Sequence, residues 1–136
     1  MLSKLFATKI DAVGLGLLII RVGLSGVLLW FGSQQLLSPQ DWVGYIPSEV
    51  LTLTPVGAQT WVLLNGSAEI ALGTLIFLGV FVHFAALVMG LHLALIAYSL
   101  GYTAVGVRDW GLAFALLGLA LTGGGMLSAQ QKTSRQ

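Results

Sequence analysis

The chain is a succession of long apolar blocks separated by short polar stretches. The first block, Val13 to Leu37, can cross a hydrocarbon core about 30 Å thick at 1.5 Å rise per residue with tilt to spare. From Trp61 to Tyr102 the sequence is apolar almost throughout. One helix of that length would run roughly 60 Å, twice the bilayer, so the chain must fold back once, between Gly79 and His83. The last block runs from Trp110 to Leu127 and gives way to a polar tail, residues 128–136. The pattern predicts an all-α, integral membrane four-helix bundle of a single domain. Its spans lie over residues 13–37, 61–79, 83–102 and 110–127, connected up and down with both termini on one side.

The longest connection, Ser38 to Thr60, carries helix signals of its own. Ser38-Pro39-Gln40-Asp41 reads as a helix start, with Ser38 as N-cap, Pro39 at the first helical position and an acid in the first turn. A second start follows at Pro47-Ser48-Glu49. Trp42, Tyr45 and Ile46 would share one face, which suits an interfacial helical segment with its aromatics at headgroup level. Such a segment either covers the end of the bundle or gates a cavity beneath it.

Composition excludes a soluble domain. With 57% hydrophobic and 8% charged residues, the chain has far more apolar surface than a soluble core of 136 residues buries, and too few charges to cover a soluble surface. A net charge of +1 with no basic patch gives no reason to expect nucleic acid. The absence of cysteine removes disulfide, thiol redox and thiolate metal chemistry. Lys4 and Lys9 precede the first apolar block as in a signal peptide, but Arg21 interrupts the block and no cleavage site follows; it reads as a first anchor helix. Lys4, Lys9, Lys132 and Arg135 flank the termini, whereas the Ser38–Thr60 loop holds Asp41 and Glu49 and no Lys or Arg. The positive-inside rule therefore places both termini in the cytoplasm of a bacterial or archaeal plasma membrane.

Three ionisable residues, Arg21, Glu69 and His92, lie inside the spans, where charge is costly and marks function by default. Counted from the span boundaries, each falls roughly 12–15 Å deep, so the three could meet across helices packed about 8–10 Å apart. Arg21, Ser25, Gly32 and Gln35 share a stripe of the first helix, and Asn65, Glu69 and Gly73 a stripe of the second. Gly111, Gly118 and Gly125 recur every seven residues along the fourth, which predicts a groove for close helix approach within the bundle or a homo-oligomer. The candidate ligand-binding or proton-handling residues are thus Arg21, Glu69, His92, Asn65 and Gln35. The same charges read equally as a structural Arg21–Glu69 ion pair that fixes helix register. His83 falls in a turn. A haem held by His83 and His92, or a metal held by Glu69 and His92 alone, lacks the geometry or the ligands. Arg108 and Asp109 precede the expected fourth span, as a helix cap or a contact for a partner.

The strings RVGLSGVLLWFG from Arg21, SPQDWVGYIP from Ser38, NGSAEIALGTLIFLGVF from Asn65, AAL from Ala85 and GYTAVGVRDWGL from Gly101 together resemble the DoxX family over about Val13 to Leu127. Gln35 stands where members often carry a Lys, and His83 where an Arg is common. The resemblance implies a multi-pass membrane protein linked to oxidoreductase systems, the related DoxD proteins serving in thiosulfate:quinone oxidoreductase. With no flavin, haem or iron–sulfur motif in the chain, redox cofactors would sit on an oxidoreductase partner subunit. The bound ligand would be a quinone or another small apolar molecule, with Arg21 facing charge on a ligand oxygen and Glu69 with His92 handling a proton. A transporter of a small solute or proton, and a non-catalytic assembly subunit, are the competing readings. Pro is absent from all four spans, and no broken helix points to transport.

Overall fold

A computed structural model describes residues 12–128. Its elements are α1 (Ala12–Leu37), a 3-10 segment (Pro39–Tyr45), α2 (Ser48–Leu53), α3 (Ala58–Leu78), α4 (Val82–Leu100) and α5 (Ala104–Thr122). The protein is an all-helical integral membrane protein, in which α1, α3, α4 and α5 are each long and apolar enough to cross a bilayer. Large apolar side chains cover the outside: Ile19, Trp30, Leu64, Phe84, Leu95 and Leu121 are all exposed. In water that surface would be untenable; in lipid it is the solvated face. Hydroxyls on the same faces return to their own helices, Ser67 to Leu63 O, Thr74 to Ile70 O and Thr122 to Gly118 O, so none is left unsatisfied in hydrocarbon.

The helices form two tight pairs, α1 on α3 and α4 on α5, with looser contact between the pairs. Glycine sets the first pair. A Cβ on Gly32 would stand 2.8 Å from Gly66 O, and one on Gly66 would stand 2.9 Å from Gly32 O, so the two backbones touch where neither residue has a side chain. In the second pair Gly90 of α4 receives Leu117 of α5. The glycine groove expected on the last span is not at this contact. Gly111 and Gly118 face outward with no neighbour near their Cβ positions, and Gly125 lies beyond the end of α5.

The ends of the bundle differ. At the terminal end, α3 stops at Gly79 in the left-handed conformation that closes a helix (φ 75°), and Phe81, also left-handed, starts α4. Gly123–Ser128 folds beneath α1, where Met126 N donates to Gly14 O. At the loop end, the 3-10 segment and α2 lie over the helices. Ser38 occupies the N-cap position of the 3-10 segment but its side chain caps nothing. The last long helix begins at Ala104 and ends at Thr122, not Trp110 to Leu127. Thr103 Oγ1 caps it by accepting from Gly106 N at 3.0 Å. The cap expected at Arg108 and Asp109 is therefore one turn too late, and both residues lie within α5.

Candidate functional site

Between the two helix pairs, under the 3-10 segment and α2, lies a cavity of about 510 Å³. Its walls are mainly apolar, from Leu28 and Phe31 of α1, Val62 of α3, Leu93 and Ile96 of α4 and Leu112 of α5, with Trp42, Tyr45, Ile46 and Val50 above. The covering aromatics are tied to the bundle. Trp42 packs edge-on to Phe31 at 5.6 Å and tilts against Tyr45 at 5.7 Å. Trp61 Nε1 donates to Thr54 Oγ1 at 3.0 Å, fixing the end of the α2 segment to α3.

One wall is polar, and its groups form a connected set. Glu69, buried at 4% exposure, accepts from Gln35 Nε2 at 3.1 Å on one oxygen and from Asn65 Nδ2 at 2.9 Å on the other. Asn65 Nδ2 also donates to Gln35 Oε1 at 2.6 Å, closing a ring of three side chains. His92 joins through Nε2 to Asn65 Oδ1. Helix geometry makes this possible: Asn65 and Glu69 are one turn apart on α3, Gln35 follows Gly32 by one turn on α1, and the Gly32–Gly66 contact brings the two stripes together. Glu69 therefore takes its hydrogen bonds from amides and not from a cation.

Asp109 completes the wall from α5. It is buried, and its Oδ1 accepts from both Nε and Nη2 of Arg108 at 2.8 Å. The guanidinium carbon of Arg108 lies 4.5 Å from the Phe31 ring centre, a cation–π contact that spans α5 and α1 at the cavity rim. A helix that starts at Ala104 places Asp109 in its second turn, facing inward, so the pair belongs to the cavity. The spacing signal was present in the sequence, since Asp109, Ala113 and Leu116 share one face of α5 and all are buried.

Arg21 is elsewhere. Its Nη1 donates to Gly124 O at 2.8 Å, at the terminal end, and it packs against Gly79 and Gly124. Glu69 lies beside Gly32 of α1, and Arg21 precedes Gly32 by about three turns, roughly 16 Å along the axis. The expected Arg21–Glu69–His92 cluster thus loses its arginine, and neither the ion pair nor an Arg21 contact to a ligand in the cavity forms. The depth estimate failed because α1, at 26 residues against 21 for α3, carries its extra length at the terminal end. Arg21 stands level with the α3–α4 turn, not with the middle of α3. His83 is also at this end, against Ala120 O, and takes no part in the cavity.

Among the described residues no three of His, Asp and Glu converge as metal ligands would. The chemistry on offer is instead a relay of one carboxyl, two amides and one imidazole beside an apolar chamber, with a second carboxyl held by arginine.

Comparison with curated proteins gives no match, and neither does comparison with solved structures. The model of the DoxX family matches residues 16–103, from the second turn of α1 to just past the end of α4. It stops before α5, and so before Arg108 and Asp109. The matched stretch holds Gln35, Asn65, Glu69, His92 and the segment that covers them, and it is well over half of the 136 residues. On that match the chain belongs to the DoxX family.

Proposed function

We propose that the protein binds a small, lipid-soluble ligand of the quinone class in the loop-end cavity, as the membrane subunit of an oxidoreductase system whose electron-transfer cofactors sit on a partner. The observation that carries this reading is the cavity itself. Its volume of about 510 Å³ falls within the range of small-molecule sites, roughly 300–1,000 Å³, and it combines apolar and aromatic walls with one polar side. Such a site suits a ring that partitions from lipid and is oriented by its polar edge. His92, oriented through Asn65 by Glu69, would give or take a proton at that edge, and Arg108 at the rim is a cation of the chamber lining. The reading is supported further by the density to which protein interiors are otherwise packed, which leaves few voids of this size.

The test is saturable binding of a short-tailed benzoquinone to the protein in lipid nanodiscs, compared with Ile96→Trp, which fills the chamber from α4. Binding to the parent protein that is lost in Ile96→Trp is the expected result. Equal uptake by both, as partition into lipid would give, rejects the reading.

A further inference from the structure

The hydrogen-bond polarity of the wall specifies the ligand further. Glu69 accepts on both oxygens, which requires the nitrogens of Gln35 and Asn65 to point at it. With Asn65 Nδ2 committed to Glu69 and to Gln35 Oε1, Asn65 Oδ1 is the atom that meets His92. An amide oxygen can only accept, so His92 Nε2 carries the hydrogen in that contact. In the neutral ring, Nδ1 then presents a lone pair. Nδ1 has no hydrogen-bond partner among the described residues, nor has Asp109 Oδ2, the oxygen that Arg108 leaves unused. Both His92 and Asp109 line the chamber. Two unspent positions of the wall, on His92 and Asp109, are therefore acceptors.

Donors line the chamber too: Trp42 Nε1, Tyr45 Oη and the second N–H of Gln35 have no partner among the described residues, and a ligand hydroxyl can accept from one of them while it donates, whereas a carbonyl can only accept. Arg108 gives Nε and Nη2 to Asp109, lays its face on Phe31 and is 43% exposed, so it stands at the rim. Trp61 Nε1 is taken by Thr54. A ligand whose polar edge only accepts, such as a quinone carbonyl, would leave His92 Nδ1 and Asp109 Oδ2 without partners, which is the costly outcome for a desolvated site. A carboxylate or phosphate would add charge repulsion from Asp109 and Glu69. We infer that the chamber selects a neutral aromatic hydroxyl, a hydroquinone or phenol, which donates its O–H to His92 Nδ1 or Asp109 Oδ2. This rests on the chamber being a quinone-class site and adds that the reduced, hydroxyl-bearing form is the one it holds.

A matched ligand series tests it on the protein in nanodiscs under anaerobic conditions. The series comprises a short-tailed hydroquinone, its quinone, and its dimethyl ether, which keeps the shape of the first but cannot donate. The hydroquinone should compete at least about tenfold better than either of the others, and His92→Phe should shrink that ratio severalfold while leaving the ether unaffected. Equal binding of all three, or preference for the quinone, overturns the inference while leaving the chamber a quinone-class site. Failure of all three to bind overturns both.

Discussion

The two ends of the bundle each bury charge, and they use it differently. At the terminal end Arg21 is enclosed by Gly79 and Gly124, close to a core in which Ile76, Val82, Ala85 and Ala86 are wholly buried. Its guanidinium holds the Gly123–Ser128 turn through Gly124 O, and Nε finds no partner among the described residues. At the loop end Glu69, His92 and Asp109 are also withdrawn from lipid, but they border open space, and their hydrogen bonds run sideways along the wall. A buried ion with room for a second molecule beside it can meet a ligand, whereas one around which the packing closes can only hold its neighbours.

The widest separation between the two ends should come from the contact both depend on. Gly32→Leu would drive a side chain into Gly66 O and the Glu69 Cβ, which lie 2.8 and 3.1 Å from where its Cβ would be. α1 and α3 must move apart, at a cost of about 3 kcal/mol, and the Gln35–Glu69 hydrogen bond is lost with them. Thermal unfolding in detergent should show a large fall in stability together with loss of ligand binding. A variant of near-parental stability would mean that the α1–α3 approach is not as close as described.

Arg21→Met separates fastening from function. It removes a charge-assisted hydrogen bond and leaves Gly124 O unsatisfied, and the net loss should be about 2 kcal/mol. Ligand affinity at the loop end, roughly 16 Å away, should stay within about twofold. Lost binding with intact stability would return Arg21 to the site.

The sequence determines the spans of this protein more fully than the register between them. Four spans, the turn at Gly79 and the inward stripes of α1 and α3 follow from block length and helical spacing, which are local properties. The position of Arg21 relative to Glu69 does not, because it depends on how far one helix slides past another. That register was set by the Gly32–Gly66 contact and by the excess length of α1. Asp109 was misread for a related reason: Thr103 starts α5 about two turns earlier than hydropathy alone places it, since a span may begin with Ala104, Gly106 and a charged pair when that pair turns inward. The ring of Gln35, Asn65 and Glu69 became visible only once the register was known.

Glu69→Gln probes the polarity of the wall at smaller cost. A glutamine at this position has one acceptor where two amide nitrogens point, so Gln35 or Asn65 must turn over; if Asn65 does, its nitrogen faces His92 and the ring must take the opposite tautomer. Stability should fall by about 1 kcal/mol, and nitrogen chemical shifts of His92 should report the exchange of roles between Nε2 and Nδ1. Unchanged shifts with unchanged stability would show that the relay does not transmit orientation from Glu69 to His92.

The smallest effect concerns the outward face of α5, and its sign carries the information. Gly111 and Gly118 sit in regular helix with nothing near their Cβ positions, facing lipid beside Ala115 and Thr122. Glycine in a helix interior costs about 0.5–1 kcal/mol relative to alanine, chiefly through the freedom it regains on unfolding. If this face meets only lipid, Gly111→Ala and Gly118→Ala should each stabilise the protein by roughly that amount, with no change in ligand binding or in the mass of the particle in native membranes. If a helix of a second molecule packs against it, the added methyl groups obstruct the approach, and the same substitutions should destabilise the assembly. A pair of alanine substitutions thus tells whether the glycines inside the α1–α3 contact and those outside on α5 serve one purpose or two.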